Sequence, residues 1–112
     1  MNMGKYDNIR NNVTQMLKQE FSGFEYKGHG AHIGLWETPD FIHLEKPFGQ
    51  SYTLAQFRMF VFIPVGYGTE IKIEIFLPSV GEWETVFEGY ISDISDISKI
   101  LNFQLGIPKA VR

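Results

Sequence analysis

Between positions 6 and 21 the apolar residues Tyr6, Ile9, Val13, Met16, Leu17 and Phe21 recur at spacings of three and four. That period gathers one face of an amphipathic helix. Asp7 supplies a cap or first-turn anion, and Ser22 with Gly23 offers the backbone that ends helices, so a helix is predicted over 6–21. The glycines Gly28, Gly30 and Gly34 then exclude regular helix and predict a bent or bulged strand that leads into a short strand through Leu35 and Trp36. A Thr38-Pro39-Asp40 turn follows. From 41 to 46, Ile42 and Leu44 alternate with Phe41, His43 and Glu45, the pattern of another strand.

Three longer strands are predicted near 54–65, 69–77 and 83–91, with turns at Gly66-Tyr67-Gly68 and across 78–81. Pairing Val65 with Thr69 and Leu77 with Trp83 puts Ile71, Ile73, Ile75 and Leu77 on one inner face, together with Trp83, Thr85, Phe87 and Ile91. From residue 93, Asp93 caps a second helix and Asp96 sits in its first turn. Ile94, Ile97, Leu101 and Leu105 continue as its buried stripe, and Gly106 and Pro108 stop it. The order helix, strands, helix predicts a single α+β domain over 1–112. Its mainly antiparallel sheet has four or five strands, with an N-terminal and a C-terminal helix packed on one face.

The run from 57 to 65 departs from simple alternation. Phe57, Met59, Val61 and Ile63 fill one side of the strand, and Phe60 and Phe62 load the other. A strand with one wet face carries large apolar groups on one side only. On the assumed register the outer face has three rows: Phe62, Lys72 and Glu88; Phe60, Glu74 and Val86; Arg58, Phe76 and Glu84. Lys72 faces Glu88 as a cross-strand pair, and Arg58 stacks on Phe76. Leaving a phenylalanine in water forfeits about 1.5–3 kcal/mol relative to burial. Phe60 and Phe62 therefore call for a cover: the chain's own 28–36 segment or 47–53 loop, a second copy, or a protein partner.

Composition narrows the choice. At 112 residues, 44% hydrophobic and 21% charged, the chain has the make-up of one packed domain. Its 13 acidic and 10 basic side chains give a net charge of −3, with no broad positive field for a phosphate backbone. The absence of cysteine excludes a disulfide framework, a thiolate zinc site and a cysteine nucleophile. No apolar run approaches the ~20 residues of a membrane span, and Met1 leads into a polar segment without a signal-peptide core, so a soluble cytoplasmic protein is expected.

Candidate chemistry is sparse. His29, His32 and His43 are the residues that a metal-dependent enzyme or metal-binding protein would use, but an i, i+3 histidine pair in extended chain points to opposite sides unless a bulge redirects one. Glu82, Glu84 and Glu88 share a strand face by alternation, where exposed glutamates serve solubility and edge protection. The 28–34 segment lacks the spacing of a dinucleotide fingerprint and the lysine of a P-loop, and no G-x-S-x-G elbow occurs. Single-stranded nucleic acid stacking on Phe60, Phe62 and Tyr52 is opposed by the acidic rows. No cofactor is implied. The reading is a non-catalytic interaction module, of inhibitor, immunity or adaptor type, that meets a protein partner or a second copy through its sheet. Arg58, Phe60, Phe62 and Phe76 make the contacts, with His43 and Tyr52 at the rim.

Overall fold

The 6–21 stripe folds as α1 (Asp7–Glu20), and its buried residues Val13 and Leu17 are joined by Phe21 just beyond the helix. The computed structural model describes residues 4, 6–21, 23–44, 53–66 and 68–109. Asp7 acts as the first-turn anion and not as the cap: its Oδ2 accepts the Gly4 N–H at 2.8 Å, and its Oδ1 pairs with Arg10. Arg10 Nε also donates to the Ile33 carbonyl at 2.5 Å, which ties the helix to the glycine-rich segment.

Among the described residues six strands follow: β1 (Glu25–Gly28), β2 (Gly34–Glu37), β3 (Ile42–Leu44), β4 (Thr53–Val61), β5 (Thr69–Phe76) and β6 (Trp83–Ile91). All pairings are antiparallel, in the order β1-β2-β4-β5-β6, with β3 also paired to β4. β2 and β3 behave as one interrupted strand along β4. Thr38 bridges them: its N–H donates to the Phe57 carbonyl at 2.8 Å, and its Oγ1 accepts the Phe57 N–H at 2.8 Å. These bonds satisfy Thr38, which is fully buried. The predicted bulge near Gly28 is present as a register shift between Tyr26 and Gly28.

Gly34 answers a packing demand. A Cβ there would lie 2.6 Å from Cη2 of Trp36, so the bare glycine lets the indole lie across the strand. The Trp36 Nε1–H reaches Thr14 Oγ1 at 3.0 Å, joining β2 to α1 through a buried ring with a satisfied polar tip.

The inner face carries Ala55, Phe57, Met59, Val61, Ile71, Ile73 and Ile75, all essentially inaccessible, in one cluster with Val13, Leu17 and Phe21. The second helix joins the same cluster through Ile97, Ile100, Leu101 and Leu105. It starts as α2 (Ser95–Lys99) and continues as a π-helical stretch, Ile100–Gln104. Asp93 Oδ1 accepts the Ser95 N–H at 2.9 Å, and Asp96 Oδ2 reaches back to the Asp93 N–H at 3.3 Å, a reciprocal cap. The π turn buries Ile100 beside Leu101 and leaves Phe103 80% exposed. Gly106, at φ 69°, then reverses the chain so that Ile107 N–H bonds the Leu101 carbonyl at 2.8 Å. Glu20 receives the Ser98 hydroxyl at 2.6 Å and lies 3.4 Å from Lys109 Nζ, fastening the two helices and the C-terminal segment together.

The result is an α+β fold with both helices on one face of a mainly antiparallel sheet. No helix among the described residues is long and apolar enough to cross a membrane.

Two registers differ from the sequence-based expectation. β4 and β5 pair with Phe60 opposite Lys72 and Arg58 opposite Glu74, two residues from the assumed alignment; the Phe62 N–H bonds the Glu70 carbonyl at 2.9 Å, and Val65 bridges Gly68 in place of Thr69. Ile63, expected inside, is 44% exposed. β5 and β6 keep Lys72 opposite Glu88 and Ile73 opposite Phe87, but then Glu74 faces Thr85 and Phe76 faces Trp83. Val86 is the extra residue of a β-bulge, and it turns Trp83 and Thr85 from the inner face to the outer one.

Candidate functional site

The outer face, opposite the helices, is built from alternate residues of β2 to β6. The corrected rows read Leu35, Phe60, Lys72 and Glu88; then Glu37, Arg58, Glu74 and Thr85; then Gln56, Phe76 and Trp83. At one end Phe41, Phe76 and Trp83 form a line of rings, with centroids 6.4 Å and 5.5 Å apart. At the other, Phe60 and Phe62 stack at 6.3 Å, and the imidazole of His32 stands edge-on to both, at 5.3 Å and 6.2 Å.

Arg58 joins the two groups. Its guanidinium carbon lies 4.1 Å from the Trp83 centroid and 5.7 Å from that of Phe60. Its Nε donates to Glu74 Oε1 at 2.5 Å, and Lys72 Nζ stands 3.6 Å from the other Glu74 oxygen. Glu74, 12% exposed, is thus flanked by two cations. The expected stacking of Arg58 on Phe76 is replaced by stacking on Trp83, as the two-residue shift and the bulge together require.

Phe60, Phe62, Phe76 and Trp83 are each half-buried, while Phe41 and Leu54 are 45% and 46% exposed. The predicted contacts Arg58, Phe60, Phe62 and Phe76 therefore share one continuous surface. His43 projects on the same face of β3, opposite the exposed Leu54, at its edge. Tyr52 lies outside the described residues. Sequence reading missed Trp83 and His32. Alternation placed Trp83 inside, and nothing short of the bulge reverses it. The 28–36 segment supplies His32 as a partial cover for Phe60 and Phe62, and the His32 Nδ1 is buried without a hydrogen-bond partner among the described residues.

The other candidates are dispersed. His29 Nδ1 meets the Tyr26 hydroxyl at 2.7 Å, His32 rests on the phenylalanines, and His43 stands on β3. Among the described residues no three His, Asp or Glu side chains gather as a metal-holding group. Glu84 and Glu88 are exposed, and the bulge sends them to opposite sides of the sheet, so the glutamates do not form the common row that alternation implied. Among the described residues, Asp93 has a marked electrostatic environment. The Ser95 backbone N–H, then its hydroxyl, hold the Asp93 carboxyl below its usual range, with a smaller contribution from Lys99.

In comparisons with known proteins, no family model, no curated protein and no solved structure matches this chain.

Proposed function

We propose that the chain is a small non-catalytic interaction module, of inhibitor, immunity or adaptor type, which binds a protein partner through the outer face of its sheet. The observation that carries this reading is the unbroken aromatic band running Phe41, Phe76, Trp83, Arg58, Phe60, Phe62. Aromatic rings around an arginine are the side chains enriched where protein interfaces concentrate their energy. The rings are braced by one another and by the Arg58–Glu74 pair, so little side-chain freedom is lost when a partner covers them.

The acidic members of the rows, Glu37, Glu74 and Glu88, favour a protein over a nucleic acid as the occupant. A fitting partner offers an apolar ridge to the band, with polar groups toward Lys72 and His43. Affinity capture from the native host with the wild-type chain, Trp83→Ala and Phe60→Glu tests the reading. A protein retained by the wild type and lost by both folded variants supports it. Equal retention by all three contradicts it.

A further inference from the structure

On the helix-covered side a second feature stands apart from the aromatic face. α1, the start of α2 and the ends of β4 and β6 line a partly open pocket of about 190 Å³. Its walls are Ile9, Val13, Val61, Ile91, Ile94 and Ile97, all aliphatic. Protein interiors are close-packed, and voids larger than a water molecule are few. An apolar cavity of about 150 Å³ in another protein stays dry and takes up benzene. This one is larger, and it differs in having polar groups among its lining residues: Thr69, half-buried, with Ser92 and Asp93 exposed.

We propose that this cavity is a binding site for a small amphipathic molecule, with an apolar body the size of a single aromatic ring and a hydroxyl or ammonium group directed to Asp93. The aliphatic walls offer no hydrogen bond, so the body must be hydrocarbon. The polar end is specified by sign. Asp93 is the acidic residue among the lining, its Oδ1 accepting the Ser95 N–H at 2.9 Å, so a hydrogen-bond donor or a cation is accommodated and a carboxylate is repelled. Thr69 and Ser92 offer hydroxyls that donate or accept. The site is independent of the proposed partner-binding face, because its walls belong to the inner side of the sheet and to the helices.

Methyl-labelled NMR titration of the full chain with benzyl alcohol, benzylamine and benzoate reads this directly. Saturable shifts of the Val13, Ile91 and Ile97 methyls are expected with benzyl alcohol and benzylamine, with Leu44 across the core unmoved. Benzoate is expected to bind about tenfold more weakly or worse. Ile94→Phe puts a ring into the cavity wall and should weaken benzyl alcohol by about tenfold or more. Thr69→Leu intrudes from β5 and serves the same purpose if Ile94→Phe does not fold. The proposal is overturned if none of the wall methyls shifts in a saturable manner, if benzoate binds as well as benzylamine, or if a folded filled variant binds benzyl alcohol as the wild type does.

Discussion

Arg58 lies over the indole of Trp83 with 4.1 Å between the guanidinium carbon and the ring centroid, while its Nε donates to Glu74. The arginine is therefore held from two directions, by a ring on β6 and by a carboxylate on β5. A double-mutant cycle with Arg58→Met and Trp83→Leu should give a coupling of about 0.5–1 kcal/mol in chemical denaturation. The pair is only partly buried, so a larger value is not anticipated. A coupling of zero would mean that the stacking does not hold in solution.

The bulge in β6 makes a sharper demand. Val86 is the unpaired residue, so deleting it should leave Thr85, Glu84 and Trp83 opposite their present partners, now in a regular ladder. The ΔVal86 variant is expected to stay folded with Trp83 still quenchable by iodide to the wild-type extent. Loss of that accessibility in the folded variant would contradict Val86 as the inserted residue.

At Gly34 a methyl group would meet Trp36 at 2.6 Å and 2.8 Å, a rigid buried ring that cannot swing aside. Gly34→Ala should cost about 1–3 kcal/mol by urea denaturation. Adding Trp36→Phe removes the offending ring atoms, so the double variant should be more stable than the sum of the two single losses. Simple additivity would show that the contact is not the cause.

The lowered Asp93 pKa fixes a direction with pH. A carboxyl whose folded value lies below its unfolded one contributes stability above the unfolded pKa, and that contribution is lost as pH falls through the folded one. Asp93→Ala should therefore lower Tm most near neutrality, and the gap from wild type should narrow on acidification below the ordinary carboxylate range. A gap independent of pH would contradict the ionised cap.

These residues also show what a sequence can reveal. The stripes of α1 and α2 and the inner isoleucines of β5 were legible because their periods, 3.6 and 2, differ enough to be told apart. The identity of the outer face survived a two-residue error in the β4–β5 register, since a shift by two leaves every side chain on its own side. Row membership does not survive it, so alternation alone pairs Arg58 with Phe76 where the fold pairs it with Glu74. Trp83 was lost for the opposite reason. A single inserted residue reverses parity, and the 83–91 sequence, Trp-Glu-Thr-Val-Phe-Glu-Gly-Tyr-Ile, alternates too weakly to mark Val86 as the insertion. The placement of His32 depended on how the 28–34 segment bends against β4, a long-range packing matter with no local signature.

The central claim, that the aromatic sheet face receives a partner protein, is tested most directly by hydroxyl-radical footprinting of the chain alone and with the protein captured from its host. Phe60, Phe62, Phe76 and Trp83 should lose reactivity together in the complex, while Phe103, on the opposite side, keeps its own. Protection of Phe103 with the four sheet rings unchanged would contradict the account.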